Sequence, residues 1–444
     1  MTYGRGLRFG FSAVVLAVVM LLTAAVVTKN KDTPAPSPEG RASAVPAAAI
    51  ANSGDLSATI SSLQARLRRL PDDSTSWATL GVAYVQQARV TGDPSYYQKA
   101  VGALNRSLQV SPDSNAPALT GKAALAAARH DFAGALRLAR QSEEINSYNA
   151  VNLGVLVDAL VELGRYDQAF AALQRMVDLK PGVPSYTRVS YSYELRGNLA
   201  GARYAMRQAL DIAFSADDRA FTFFQLGELA WNAGDLDAAE RLYARGMREA
   251  PTYVPLLDGQ AKVEAARGDT AQALRDYRTV IERFPSPTYV SEYADLLTSL
   301  GRDRAASRQG DLITAQQQIL RAAGVNLDLE LALYDATHGR PQQALESAAR
   351  AWDQRHSVFV EDAYAWALHV NGRDRAALTH ARGAARLGTR SALFAFHRGM
   401  IEKSLGMDSA ATKSLRRALD INPYFSPVQA PQAHRALAAL TQDR

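Results

Sequence analysis

The stretch Gly234-Asp235-Leu236-Asp237-Ala238-Ala239 decides the fold, because its pattern recurs along the chain. A glycine is followed five residues later by an alanine here and at seven other places, and two earlier copies keep only the alanine. The ten alanines are Ala100, Ala135, Ala169, Ala202, Ala239, Ala273, Ala306, Ala344, Ala377 and Ala411. Successive alanines lie 33 to 38 residues apart, and a fixed period in this range is typical of an array of two-helix repeats.

The residue types in this pattern suit a helical hairpin. A glycine at the end of the first helix can adopt a positive φ, which caps the helix and reverses the chain. An alanine is small enough for the place where the two helices cross most closely. Prolines that cannot continue a helix follow at Pro112, Pro181, Pro251, Pro285 and Pro423. The sequence therefore predicts an all-α chain, a solenoid of about ten helical hairpins that are stabilised by stacking on one another.

The first unit shows the pattern most fully. It contains Trp77, Leu80, Gly81 and Tyr84 on one helical face, followed by Ala100, Leu104, Ser107 and Pro112. This spacing resembles the tetratricopeptide repeat (TPR), and the resemblance extends over about residues 74–425. It implies a right-handed α-α solenoid that binds extended peptides or helices. The phrase at 336–341 and the ending at 419–425 also resemble exported bacterial repeat proteins of unassigned role.

Composition excludes several classes of site. The chain of 444 residues contains no cysteine, which rules out disulfides, thiolate zinc sites, a cysteine nucleophile and a lipidated N-terminal cysteine. The 50 basic and 44 acidic side chains give a net charge of +6, a mild excess for this length. Nucleic acid is therefore not an expected partner.

The N-terminus differs from the rest of the chain. Residues 9–27, from Phe9 to Val27, carry no formal charge, and as a helix they would rise about 28 Å, enough to cross a bilayer. Arg5 and Arg8 precede this stretch, so the positive-inside rule leaves the N-terminus in the cytoplasm and exports the remainder. Residues 1–28 are thus predicted to be a transmembrane signal-anchor. Two alternatives are a secretory signal cleaved after Ala25, which would release a secreted protein, and a buried core helix in a cytosolic protein.

Four further segments follow the anchor. Residues 29–54, rich in proline, alanine and serine, are predicted to be a disordered linker, because they contain few large apolar groups. Residues 55–72 read as an amphipathic capping helix that Pro71 terminates. We expect TPR units 1 to 7 at 73–323, and units 8 to 10 with a closing helix at 324–444. The second helix after Ala306 is predicted to run on to about residue 322, which makes the joint at 297–335 a candidate sub-domain boundary.

No catalytic, metal-binding or cofactor-binding pattern stands out. The seven histidines form no HExxH motif and no i,i+4 pair, and no serine has a G-x-S-x-G context. No phosphate-binding or dinucleotide-binding fingerprint occurs. We therefore expect a protein that is not an enzyme and that has no cofactor.

Binding is the expected activity, and the resemblance to TPR proteins implies a groove lined by the first helix of each unit. The candidate peptide-groove residues are Asp158, Tyr191, Glu194, Phe221, Phe224, Glu228, Trp231, Asp258 and Asp295. Acids that alternate with aromatics suit a partner segment with basic and apolar side chains. The alternative is that the aromatics pack between repeats and the acids are solvated. A second candidate apolar surface consists of Phe359, Trp366, Phe396 and Met400, with core packing again as the alternative.

The sequence thus favours a protein-interaction scaffold or adaptor that displays a superhelical groove on the extracytoplasmic side of a membrane. One alternative is a cytosolic regulator or accessory subunit of an enzyme or transporter complex. Another is an enzyme with an unrecognised site. The sequence identifies neither the protein or peptide ligand nor the oligomeric state.

Overall fold

The computed structural model describes residues 53–442, and this range folds into 22 α-helices without any strand. Helix α1 (Ser53–Arg69) comes first and α22 (Ala430–Gln442) last. Units 1 to 5 are the hairpins α2 (Ser74–Thr91) and α3 (Ser95–Val110), α4 (Ala116–Ala128) and α5 (Phe132–Ile145), α6 (Ala150–Glu162) and α7 (Tyr166–Leu179), α8 (Val183–Leu195) and α9 (Leu199–Asp211), and α10 (Ala216–Trp231) and α11 (Leu236–Glu249). Units 6 to 10 are α12 (Val254–Arg267) and α13 (Thr270–Arg283), α14 (Pro287–Ser299) and α15 (Asp303–Ala322), α16 (Asp328–Thr337) and α17 (Pro341–Gln354), α18 (Val358–Val370) and α19 (Asp374–Ala384), and α20 (Ala392–Ser404) and α21 (Asp408–Ile421).

The prediction of an all-α array of ten hairpins is confirmed for the described residues. The predicted anchor at 9–27 and nearly all of the predicted linker lie outside them, so both stay predictions. Between residues 53 and 442, no helix combines the length and the hydrophobicity that a membrane span requires.

Local sequence explains where the helices begin and turn. The ten recurring alanines are at most 6% exposed, as expected for the crossing point of two helices. The side chain of Asp235 caps α11 by accepting a hydrogen bond from the amide of Ala238 at 3.0 Å. Gly234 before it has a φ of 75°. In unit 2 the turn position is occupied by His130, which adopts the same left-handed conformation with a φ of 61°.

The two ends of the array are closed by single helices. Leu56, Leu63 and Leu67 of α1 are buried against the first hairpin. At the other end, Ala433 and Ala436 of α22 are buried against the last unit. Because a repeat contacts only its neighbours, each terminal repeat would otherwise leave an apolar face in water.

The array does not stay open along its length, because units 6 to 10 return onto units 1 to 5. The hairpin turns of units 1 to 5 meet the loops that follow units 6 to 10, in the same order. The hydrogen bonds between them join residues 191 to 197 positions apart. We call this line of contacts the seam.

Most seam contacts use backbone groups at helix ends, which have no partner within the helix. The amide of Asn326 donates to the carbonyl of Arg129 at 3.0 Å. The hydroxyl of Thr389 donates to the carbonyl of Leu195 at 2.6 Å. Near the end of the chain, the side-chain amide of Asn422 donates to a carbonyl in α10. Helix C-termini in the first half of the chain are thus capped by residues from the second half.

One buried ion pair also crosses the seam. A guanidinium nitrogen of Arg355 lies 2.9 Å from a carboxylate oxygen of Glu162, and both side chains are 7% exposed. A few residues further along both segments, the hydroxyl of Tyr166 accepts a hydrogen bond from the amide of Val358 at 2.8 Å. These two contacts tie the turn of unit 3 to the loop after unit 8.

The seam leaves two edges of the molecule uncovered. The first edge, which we call the turn rim, consists of the hairpin turns of units 6 to 10. Their glycines, Gly268, Gly301, Gly339, Gly372 and Gly406, all have positive φ, and a Cβ at any of them would meet no described atom within 4 Å. The second edge, which we call the loop rim, consists of the loops after units 1 to 4 and the last helical residues of units 2 and 3, at residues 111–115, 145–149, 179–182 and 212–215.

The expected long helix after Ala306 is present as α15, with 20 residues. It packs on α14 but makes few contacts with α16, and a cleft of about 670 Å³ opens between α15 and the hairpin of α16 and α17. A hydrophobic cluster nevertheless continues through this joint, from Ile313 and Val325 to residues of units 1 and 2.

Candidate functional site

The nine predicted groove residues lie on the first helices of units 3 to 7, but they do not line an open channel. Eight of them are at most 7% exposed, and Glu194 is half-buried. Four of the five acids are therefore not solvated, whereas the alternative interpretation expected solvated acids. Whether any of the nine contacts a partner stays a prediction.

Asp158 forms a bidentate ion pair with Arg188, which lies on the next unit. The Arg188 Nε and Nη2 atoms donate to the two Asp158 oxygens at 2.9 and 2.7 Å. Burial raises the pKa of Asp158, and the nearby guanidinium opposes that shift. The sequence pattern identified the acid but missed its partner, since Arg188 belongs to a different helix.

Glu228 and Asp258 belong to a buried network centred on Lys262. The Lys262 Nζ lies 2.7 Å from Glu228 and 3.5 Å from Asp258. The hydroxyl of Tyr243 donates to Glu228 at 2.6 Å. Burial raises the pKa of Glu292 well above its usual range, and the adjacent Asp258 raises it further. Three carboxyl groups thus surround one ammonium, and a shared proton reduces the repulsion between them.

The remaining buried acid of the nine, Asp295, pairs with His338 across the joint between units 7 and 8, with oxygen and Nε2 3.0 Å apart. Burial lowers the pKa of His338, but the contact with Asp295 reverses that effect and leaves the pKa raised. Phe221 and Phe224 are packing residues in the fold, and the Phe224 ring contacts that of Tyr253 with centroids 6.5 Å apart. These positions hold the array together.

Three of the nine residues, Tyr191, Glu194 and Trp231, line one cavity of about 70 Å³ at the seam. Units 8 to 10 supply the opposite wall, which includes Phe359, Phe394 and Phe425 as well as Asp362 and Arg390. Space of this size would hold about five water molecules or the end of one side chain. We call it the seam cavity.

The seam cavity is lined by aromatic rings and by the titratable carboxyl group of Glu194. The Phe359 and Phe394 rings meet edge to face, with centroids 5.5 Å apart. Glu194 accepts a hydrogen bond from Asn232 at 3.4 Å, and burial raises the pKa of Glu194 to about 7. Arg390 is exposed at the mouth of the cavity.

Sequence reasoning found only half of this cavity. Phe359 was included in a second candidate surface, but Phe394, Phe425 and Asp362 were not connected with Trp231. No periodic signal joins them, because these residues are brought together by the superhelical return and not by the repeat itself. Trp366 and Phe396 of that second surface are buried in the core of the last units, as its alternative expected.

The arrangement supports binding and offers no evident reaction. Within the described part of the chain, no group of three or more histidine, aspartate or glutamate side chains could hold a metal ion. Aromatic faces beside a carboxylate are suited to an apolar or a cationic group, since a ring attracts positive charge.

Comparison with known protein families identifies one match. A tetratricopeptide-repeat family profile matches residues 257–287, which cover most of unit 6. No curated protein sequence matches the chain. At least unit 6 of this all-α repeat array therefore matches the tetratricopeptide-repeat profile.

Many solved structures resemble it, and three of them are the following. A thermophilic TPR protein of Thermus thermophilus is 22% identical, with a TM-score of 0.36 over 40% of this chain and 94% of that one. The Cut9–Hcn1 hetero-tetramer of the APC/C is 16% identical, with a TM-score of 0.40 over 86% and 81% of the two chains. A tetratricopeptide repeat protein from Parabacteroides merdae is 15% identical, with a TM-score of 0.35 over 58% and 98%.

Proposed function

We propose that this protein is an interaction scaffold, anchored to a membrane through residues 9–27, which holds a partner segment at the seam cavity on the extracytoplasmic side. The seam cavity is the observation that carries the proposal. Glu194 and Trp231 from units 4 and 5 converge there with aromatic residues of units 8 to 10. A TPR array supplies the rigid frame that keeps both walls in place.

The chemistry of the walls defines the partner. Tyr191, Trp231 and Phe394 offer apolar and aromatic surface, and Glu194 offers a carboxylate. A segment that inserts one basic side chain, with apolar residues on either side, would satisfy both. Because the pKa of Glu194 is about 7, the carboxylate is neutral in acid and negative above neutrality.

A displayed library of random peptides tests this site. Peptides selected on the full chain are expected to carry a lysine or arginine flanked by apolar residues, and to bind more tightly at pH 8 than at pH 6. Binding is expected to weaken at least tenfold in Trp231→Ala, and Glu194→Gln is expected to lose the pH dependence. Tyr204→Ala is the matched control, since Tyr204 is an exposed aromatic residue on α9 that does not line the cavity.

The seam-cavity site is refuted if the selected peptides bind the Trp231→Ala and Glu194→Gln variants as tightly as the wild-type chain while circular dichroism shows folded protein. Selection of peptides without basic residues would likewise contradict the proposed partner.

The location requires a separate experiment. A reporter that is active on only one side of a membrane, fused after residue 55, is expected to be active on the extracytoplasmic side. Activity in the cytoplasm would favour the alternative of a cytosolic regulator. The mass of the mature chain then distinguishes a retained anchor from a signal cleaved after Ala25.

A further inference from the structure

The loop rim carries apolar side chains that face solvent. Tyr148 is 81% exposed and Phe214 is 84% exposed, and Ile145, Leu179 and Ile212 are also exposed. They lie in the loops after units 2, 3 and 4 or at the helix ends that lead into these loops, so they form one arc along a single edge of the molecule. Monomeric proteins rarely leave such side chains clustered in water, which marks the arc as a candidate interface.

The seam shows what covers such a loop. Residues 145–148 read Ile-Asn-Ser-Tyr and residues 421–424 read Ile-Asn-Pro-Tyr, at the same place in units 2 and 10. Each asparagine accepts a hydrogen bond from the amide of its tyrosine, at 3.0 and 2.8 Å. In the seam, Asn422 then donates its side-chain amide to the carbonyl of Trp231 at 2.8 Å.

On the loop rim the same geometry faces solvent. The side-chain amide nitrogen of Asn146 donates to no protein atom among residues 53–442, and the residue is exposed. Ile145 is 42% exposed, whereas its counterpart Ile421 is 4% exposed. The loop rim therefore has the form of a seam loop without the hairpin turn that would cover it.

The turn rim offers the missing half. In the seam, a loop packs on the C-terminal end of a first helix, where the last carbonyls have no partner within the helix. The hairpin turns of units 6 to 10 present such helix ends with open space above their glycines. Both halves of a seam contact are thus present on one chain, at opposite edges.

The charges of the two rims are complementary. The loop rim and the residue before each loop carry four acids, Asp113, Glu144, Asp178 and Asp211, against the single base Lys180. The turns of units 6 to 10, together with the residue before and the two residues after each turn, carry six arginines, at 267, 302, 304, 340, 373 and 375, against four aspartates, at 269, 303, 374 and 408. An acidic edge and a basic edge attract each other, while two equal edges repel.

We propose that the loop rim of one copy of this chain docks on the turn rim of a second copy, so that the superhelix continues from molecule to molecule through a contact of the seam type. The contact is heterologous, so assembly is open-ended and is not limited to dimers. This proposal does not depend on the seam cavity or its ligand. A bilayer is a poorer occupant of the loop rim, because anionic lipids repel its acids.

The absence of cysteine makes cross-linking a clean test. In the full chain in detergent, Phe214→Cys marks the loop rim, and Arg302→Cys and Arg373→Cys mark the turn rim. With a flexible bis-maleimide, we expect a mixture of a loop-rim and a turn-rim variant to give at least fivefold more dimer than either variant alone. A chain carrying both cysteines is expected to give a ladder of oligomers.

Tyr204→Cys is the matched control, because Tyr204 is 66% exposed on α9 and belongs to neither rim. It is expected to give no more dimer with the turn-rim variants than by itself. Phe214→Asp should abolish concentration-dependent sedimentation of the cysteine-free chain, while Tyr204→Asp should leave it unchanged.

Three results would overturn the proposal. The first is equal cross-linking of Phe214→Cys with itself and with the turn-rim variants, which would indicate a symmetric dimer. The second is no cross-link between the rims together with sedimentation as a monomer at all concentrations. The third is binding of the chain to anionic vesicles that Phe214→Asp removes, with no association of the chain itself.

Discussion

The hairpin turns of units 1 to 5 and those of units 6 to 10 follow the same local rule and have different surroundings. Gly164 and Gly372 have φ values of 72° and 71°. Beside Gly164 lies the backbone of His356, whereas Gly372 faces open space. The turn motif therefore specifies the reversal of the chain, and the superhelical return alone decides whether that turn is covered.

Removing the charge that crosses the seam tests this comparison most severely. We expect Arg355→Met to reduce the free energy of unfolding by about 3–5 kcal/mol, because it leaves Glu162 buried without its partner. Arg267→Met, which breaks ion pairs at the exposed turn of unit 6, should cost less than about 1 kcal/mol. Urea unfolding followed by circular dichroism measures both. Equal losses would mean that the seam does not stabilise the fold.

Adding a methyl group to a turn glycine sharpens the comparison, since the backbone strain is the same in the covered turn at Gly164 and in the uncovered turn at Gly372. Gly164→Ala and Gly372→Ala each force alanine into a left-handed conformation, at about 1–2 kcal/mol. In Gly164→Ala the new Cβ would also overlap the carbonyl oxygen of His356, which adds about 1–3 kcal/mol. Thermal unfolding of the two variants should therefore differ by several degrees, with Gly164→Ala the less stable. If the two variants unfold at the same temperature within error, the seam can open locally at Gly164 without loss of stability.

The paired asparagines isolate one hydrogen bond. Asn422→Ala and Asn146→Ala both remove the local bond to a tyrosine amide, so that loss cancels in their difference. Only Asn422→Ala also removes a hydrogen bond to the buried carbonyl of Trp231, which keeps its bond from the amide of Gly234, and we expect it to be the less stable by about 0.5–1.5 kcal/mol. Denaturant midpoints at low protein concentration provide the measurement. The reverse order would contradict the equivalence of the two loops.

The last prediction concerns pH at the seam cavity. Burial raises the pKa of Glu194 in the folded chain to about 7, above its value when unfolded, so the folded state binds more protons between these two values. The stability that depends on this group is complete below the unfolded pKa and is lost as pH rises through about 7. The difference in unfolding free energy between wild type and Glu194→Gln should therefore change between pH 5 and pH 8. A constant difference would mean that Glu194 titrates as in water.

The repeat itself could be predicted from the sequence because its causes are local. Two features act within one hairpin: a small side chain at the helix crossing point, such as Ala239, and a glycine with positive φ in the turn, such as Gly234. Both recur in the sequence at a regular spacing. Helix α15 and the closing helices were also predicted, since helix length and apolar spacing are local properties.

The seam could not be predicted, because it depends on small rotations that accumulate over five to six units. Nothing in the period shows that Glu162 meets Arg355 or that Asn422 meets Trp231. For the same reason the predicted groove residues were placed on the correct helices but given the wrong exposure. Their partners, Arg188 and Lys262, come from neighbouring units and carry no signature of their own.

The offset of 191 to 197 residues between seam partners has a consequence for the evolution of this chain. An ordinary solenoid can gain or lose a whole unit by tandem duplication, because each unit is interchangeable. Here an extra unit inserted between the two halves would displace every seam partner by one hairpin. Arg355 would then no longer lie beside the carboxylate of Glu162. The number of units between these partners is therefore constrained in a way that a purely linear array is not.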